Sequence, residues 1–306
     1  MKRRKQGVII MENNFCVSTR ELTKKYSKFT LGGLDLNIPM GFSTALIGAN
    51  GAGKTTLIDI LCGVTHKTSG EVTYFNAEQD ISDPALRERI GYCASNAFFP
   101  LGFNAKDIAV SMEIAYKSFD RQKFAELCEK FEVDSERTRK PRPMTKQSDG
   151  NRMRTCLAAV LARNTELLVL DEPGSSLDPL MRDRLCDRMR EYLDDGDGRK
   201  SIIFSTHNIA DMENAADYAV FMDRGHVIEQ GFIEDLKEKY IIVRGDAENY
   251  EKAKPYLLSG SHNRTTFDGL SLSENAETLA AMNVDSEAPT LQQLSVGLLK
   301  YAEEHR

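Results

Sequence analysis

The sequence predicts an α/β fold carrying an inserted helical subdomain, and three observations lead there. Short apolar runs without polar alternation recur at 43–48, 167–171 and 201–205, as expected of parallel strands buried on both faces. The first run meets a glycine-rich loop and then the helix-compatible LIDILCGV, which is the strand, loop, helix order of a phosphate-binding unit. Residues 104–163 show helical spacing (DIAVSMEIAYKSF, RQKFAELCEKF, RMRTCLAAVLAR) and almost no strand signal, so a helical insertion over about 97–165 is expected inside the core.

The chain has 306 residues, 41% of them hydrophobic, enough to fill a sizeable core. Its net charge of -6 argues against nucleic acid as a partner, because such binding depends on Lys and Arg neutralising phosphates. Six cysteines occur without any CxxC pair, so they read as reduced residues, mostly in the core, and not as a zinc site or disulfide framework.

At the start, MKRRKQGVII is basic, with an apolar run too short for a secretory segment, and Met11 offers an alternative start; the first ten residues read as a mobile, solvated tail. Nowhere does the sequence approach the ~18 consecutive apolar residues of a membrane-spanning helix, so a soluble, cytoplasmic chain is expected. Residues 14–235 make the main domain in this reading. Near its end, AVFMDRGHVIEQG alternates around Arg224-Gly225 and predicts a hairpin. Residues 236–306 are more polar and predict a small α+β accessory domain: a strand in IIVRG, a helix in AENYEKAKPYLL and a final amphipathic helix in TLQQLSVGLLKYAEE. That helix is expected to pack its leucines (Leu291, Leu294, Leu298, Leu299) on the accessory domain or on a dimer mate. All motifs described below precede residue 236, so nucleotide binding is expected to survive loss of this segment.

Gly48-Ala-Asn-Gly-Ala-Gly-Lys-Thr55 fits the phosphate-loop pattern GxxxxGK(S/T). Glycines there let backbone N–H groups wrap the phosphates, and the lysine ammonium reaches the β and γ oxygens. The candidate nucleotide-binding residues are accordingly Asn50, Gly51, Ala52, Gly53, Lys54, Thr55 and Thr56, with Thr55 also a ligand of Mg²⁺. LLVLDE (167–172) ends a buried strand in two carboxylates. Asp171 suits the Mg²⁺ shell and Glu172 suits polarising an attacking water, although such a pair standing alone would serve equally well as a helix cap. His207 follows the run SIIFS and would stand at the carboxyl edge of the sheet, facing the γ-phosphate.

With these residues in this order, the chain resembles an ATP-binding cassette (ABC) protein. GANGAGKTT is similar to that family's Walker A, LLVLDE to its Walker B, SSLD (175–178, ending in Asp178) to its D-loop and STH (205–207) to its switch histidine. The resemblance spans about Arg20 to Gly231. It implies a P-loop NTPase cassette with an antiparallel β subdomain as well as the helical one, and Mg²⁺-dependent ATP hydrolysis. It also implies that Tyr26 stacks on adenine. Two cassettes, identical or different, would sandwich two ATP molecules head to tail, each phosphate loop facing the other chain's signature segment.

Two positions depart from the family pattern. Gln147-Ser148-Asp149-Gly150-Asn151 stands where the family has LSGGQ. Ser148 and Gly150 keep the donors that act in trans, while Asp149 adds a charge that would repel phosphate if it points inward and is harmless if it points to solvent or to a cation such as Lys146. The family's Q-loop glutamine aligns with Ser95, whose shorter hydroxyl can still serve Mg²⁺ directly or through water. The helical segment and the closing residues are similar to single-cassette ATPases of ABC-2 type exporters. That similarity implies a separate membrane permease and a peripheral position on the inner face of the cell membrane. A soluble cassette acting on ribosomes or DNA, and a non-hydrolysing regulatory cassette, are the alternatives.

Overall fold

The computed structural model describes residues 3–5, 8–10, 14–96, 99–207 and 209–305. Its central sheet has six strands in the order His226–Phe232, Tyr218–Asp223, Ser43–Ile47, Ser201–Thr206, Leu167–Leu170, Ile90–Cys93. All neighbours pair in parallel except the edge strand His226–Phe232. Every residue of Ser43–Ile47, Leu167–Leu170 and Ser201–Thr206 is buried, which explains why these runs lack polar alternation. Register then decides where the chemistry falls: Ile47 pairs with Thr206 and Leu170 with Phe204. The glycine loop, the acidic pair and His207 therefore leave the sheet along one carboxyl edge.

A second sheet is antiparallel and three-stranded, in the order Thr30–Pro39, Phe15–Lys25, Ser69–Tyr74. Its apolar face shares a core with the helix Lys54–Leu61, through Leu22, Leu31, Leu36, Leu57 and Ile58. The hairpin expected around Arg224-Gly225 is present: Asp223 pairs with His226, and the two turn residues have φ of 45° and 88°, the double positive φ that a type I′ turn requires.

The helical insertion comprises Ala105–Ala115, Arg121–Lys130 and Asp149–Leu161. Each start has its own side-chain cap, from Asn104, Asp120 and Ser148, which satisfies donors that the first turn leaves free. Phe124, Leu127, Phe131, Met153 and Leu157 join this insertion to the main core.

Beyond residue 236 the structure differs from the sequence reading. The segment AENYEKAKPYLL is not one helix: a single turn, Tyr250–Ala253, lies between the 3₁₀ turns Ala247–Asn249 and Lys254–Tyr256. Pro255 lacks the N–H that a continuing helix would need, and Leu257 opens a strand. Leu257–His262 and Thr266–Leu272 belong to a four-stranded antiparallel sheet with Tyr240–Asp246 and Asp285–Glu287. The final helix, Leu291–Glu304, is present with a capping box from Thr290 and Gln293. Its buried leucines reach further than their own sheet: Leu291, Leu294 and Leu298 share one core with Ile209, Met212, Ala215 and Phe221. At the other terminus, Arg3–Lys5 and Val8–Ile10 pair as an antiparallel ribbon where a mobile tail was expected; Met11 lies outside the described residues. Among the described residues, no helix is long and apolar enough to cross a membrane.

Candidate nucleotide site

The glycine loop turns sharply because two of its residues adopt backbone conformations open to glycine. Gly51 has φ 84° and Gly53 φ 104°, and a Cβ on Gly53 would stand 2.8 Å from Leu31 and 3.0 Å from Phe29. The helix that follows, Lys54–Leu61, has neither a side-chain cap nor an acidic residue in its first turn, so its N-terminal N–H groups and dipole are left to an anion. The hairpin braces the loop from behind, the Gly225 N–H donating to the Ala52 carbonyl at 2.8 Å.

A cleft of ≈550 Å³ opens over this loop, within the size range of small-molecule sites. Asn50, Gly51, Ala52, Gly53, Lys54, Thr55 and Thr56 all line it, as do Ser95, Glu172 and His207. The Lys54 ammonium is buried and donates to the Gly48 carbonyl at 2.7 Å. It also lies 3.4 Å from Glu172 Oε1, while Glu172 Oε2 is 2.7 Å from His207 Nδ1. Glu172 is thus held between a cation on the loop and an imidazole at the end of the neighbouring strand. Its backbone φ of 48° turns the chain away from the strand direction at this residue.

Asp171, 1% exposed, is spaced from the cleft by Thr55. The Thr55 hydroxyl lies 3.0 Å from Asp171 Oδ2 and 3.2 Å from Oδ1, and the Ser205 hydroxyl donates to Oδ1 at 2.6 Å. Neutral and anionic oxygens side by side suit Mg²⁺, which takes hard oxygen donors and is commonly held by one or two carboxylates plus substrate phosphates. Among the described residues, no group of three or more His, Cys, Asp or Glu could cage a metal without help from substrate. Behind this pair, burial and, to a smaller extent, the charge of Asp171 push the Asp59 carboxyl above its usual range; a hydrogen bond from Tyr92 at 3.2 Å opposes them.

Other expected residues lie elsewhere. Tyr26, about half exposed, is not among the residues lining the cleft; Phe29 is, with ring centroids 6.5 Å apart in that pair. The sequence reading passed over Phe29, though it lies in the same LTKKYSKF segment, and over Asn96, and it read Ser175 only as part of the D-loop; Asn96 and Ser175 line the cleft beside Ser95 and Glu172. Ser148, Gly150 and Asp178 do not line this chain's cleft. Ser148 caps its helix by accepting the Asn151 N–H at 3.3 Å, which leaves its own proton free for a second partner. Gly150 abuts the 175–178 loop, where a Cβ would meet the Ser176 carbonyl at 2.8 Å. Asp178 caps the helix Pro179–Asp194 by accepting from the Met181 N–H. Asp149 points outward, its side chain 87% exposed and 3.2 Å from Arg152, not Lys146.

Comparison with known proteins agrees with this arrangement. The ABC transporter family profile matches residues 31–175. Over 210 residues the chain is 30% identical to the energy-coupling factor transporter ATP-binding protein EcfA1 of Staphylococcus aureus, covering 67% of this chain and 76% of that one. It is also 30% identical to the daunorubicin/doxorubicin resistance ATP-binding protein DrrA of Streptomyces peucetius, covering 72% and 66% respectively. In fold it is similar to a dimeric ATP-binding cassette in a post-hydrolysis state bound to ADP and phosphate, with TM-score 0.61, 21% identity and coverage of 71% of this chain and 98% of that one. Phosphate loop, paired carboxylates and switch histidine on one sheet edge, together with these relatives, establish that the chain belongs to the ABC transporter family as an ATP-binding cassette protein.

Proposed function

We propose that the chain hydrolyses ATP in composite sites formed by two cassettes and thereby powers export through a separate membrane permease. The observation that carries the catalytic part is the Glu172 carboxylate held between Lys54 and His207 at 3.4 Å and 2.7 Å, directly after the buried Asp171 that meets the exposed Thr55 hydroxyl. Lys54 and the N–H groups of residues 50–56 bind and orient the β and γ phosphates. Thr55 and Asp171, with Ser95 at the cleft wall, would hold Mg²⁺, which when bound neutralises charge on the phosphate oxygens. Glu172 orients the attacking water and takes up its proton, and His207 holds Glu172 on one side while facing the γ-phosphate on the other. Phosphoryl transfer needs positioning and charge neutralisation without a covalent intermediate.

The exposed hydroxyl of Ser148 and the Gly150 N–H are the donors offered to a partner's γ-phosphate, so ATP binds two chains together and hydrolysis releases them. Tyr26 and Phe29 offer the aromatic faces for adenine. Export is proposed from the resemblance of the helical segment and the closing residues to ABC-2 type exporter subunits; such a subunit sits on the inner face of the membrane through its permease. Glu172→Gln keeps side-chain size and removes the base. The expected result is unchanged ATP affinity, turnover lowered by about 100-fold or more and an ATP-dependent dimer on size-exclusion chromatography. A variant that turns over ATP like the wild type removes Glu172 from the chemistry.

A further inference from the structure

Ser205 is the fifth residue of the strand Ser201–Thr206 and is fully buried. Strand register places it level with Asp171, because Leu170 pairs with Phe204. Its hydroxyl makes two bonds at once: it donates to Asp171 Oδ1 at 2.6 Å and accepts the backbone N–H of Glu172 at 2.8 Å. An ionised carboxylate can only accept and an amide N–H can only donate, so the single hydroxyl proton is committed to Asp171 and an oxygen lone pair to Glu172. One side chain thereby joins the buried carboxylate of one residue to the backbone of the next. Glu172 sits at φ 48°, a left-handed conformation that disfavours a non-glycine residue and persists where surrounding structure imposes it.

We propose that Ser205 is a positioning residue for ATP hydrolysis: by anchoring the Glu172 backbone to Asp171, it sets the direction in which the Glu172 carboxylate points. Lys54 and His207 hold that carboxylate from the cleft side, while Ser205 holds the residue from the sheet side. The inference rests on the proposed role of Glu172 and adds the residue that fixes its aim. A serine that only satisfied a buried N–H would contribute to stability and leave the catalytic step alone.

The test compares Ser205→Ala, Ser205→Thr and Ser205→Cys with the wild type and Glu172→Gln, all in the full chain. In Ser205→Ala, kcat is expected to fall about 10- to 100-fold, the range seen when groups supporting a metal site are removed. KM for ATP, and affinity for ADP measured without metal, should stay within about threefold, since the phosphate loop is untouched. Ser205→Thr restores the hydroxyl and should recover most of kcat; Ser205→Cys, similar in size but a weak donor and acceptor, should fall between and gives the same reading if the alanine variant does not fold. Turnover by the alanine or cysteine variant within threefold of the wild type overturns the proposal while Glu172→Gln remains inactive. Loss of metal-free ADP affinity in step with kcat overturns it too, because the hydroxyl would then be supporting the whole site. If Glu172→Gln itself hydrolyses ATP normally, the reading of Glu172 fails, and this inference with it.

Discussion

At position 149 a carboxylate stands between the two donors that the proposed dimer offers to a partner's phosphate. Two like charges in a dry site repel strongly, whereas water and salt weaken that repulsion. In the single chain the Asp149 side chain is 87% exposed and lies 3.2 Å from Arg152, a cation that offsets its charge, and its place in the first turn of Asp149–Leu161 suits a negative charge beside the positive end of a helix dipole. Asp149→Asn removes the charge and keeps the shape. ATP-dependent dimerisation, measured by size-exclusion chromatography, and turnover are both expected to change by less than about twofold, as for exposed ion pairs in general. A rise of tenfold in either would mean that Asp149 faces phosphate in the assembled dimer. Ser148 and Gly150 are legible from sequence as survivors of the family pattern. What Asp149 faces is not, because its direction depends on the helix cap and on Arg152 three residues later.

At the scale of elements, the buried strands and the Arg224-Gly225 hairpin were readable because their signals are local, while the closing segment was misread because its constraints are not. Gly260 and Gly269 sit opposite each other in the strands Leu257–His262 and Thr266–Leu272, and such glycines and polar neighbours hide a strand pattern. The terminal helix has a clear apolar stripe, yet nothing in its sequence tells which core receives it. That core includes Ile209, Met212 and Ala215, just after His207. Glu213 fastens the same junction, accepting the Leu291 N–H at 3.1 Å and the Lys237 ammonium at 2.9 Å. The expectation that nucleotide binding survives loss of residues beyond 236 concerns the cleft and not stability: ending the chain near Lys237 strips Leu291, Leu294 and Leu298 from a shared core and should destabilise the cassette by several kcal/mol, since burying one such leucine contributes about 2 kcal/mol. Burial alone would raise the Glu213 carboxyl, but the bonds from Lys237 and Leu291 outweigh it and hold the carboxyl below its usual range. A depressed value means this stabilisation is complete above the ordinary carboxylate pKa and is lost as pH falls below it through the folded value. Glu213→Gln should lower the thermal midpoint by a few degrees at pH 7, about 1 kcal/mol, with the difference from wild type shrinking in acid. An unchanged midpoint at pH 7 would show that the junction is held by packing alone.

Over the whole molecule, the cassette core and most of the cleft were legible because phosphate chemistry demands particular residues at fixed spacing. Lys54, Thr55, Asp171, Glu172 and His207 were each identifiable from sequence, and strand register then gathers them on one edge. Ser205 and Phe29 escaped because a lone serine or phenylalanine carries no spacing rule; only the folded chain brings Ser205 to Asp171 and Phe29 to the loop. The remaining expectation concerns two molecules at once. Ser148 and Gly150 lie outside their own chain's cleft, so if they act, they act on a partner's nucleotide. Ser148→Arg puts a bulky cation where the hydroxyl would meet phosphate and should abolish turnover while leaving ATP binding by the single chain intact. Lys54→Ala disables the phosphate loop and should also be inactive alone. A mixture of the two variants forms heterodimers in which one composite site pairs the intact loop of the Ser148→Arg chain with the intact signature of the Lys54→Ala chain. Phosphate release assayed across mixing ratios should therefore peak near equal amounts, where heterodimers are most abundant. If Ser148→Arg alone hydrolyses ATP like the wild type, the segment Gln147–Asn151 is not the signature, and the head-to-tail arrangement loses its support.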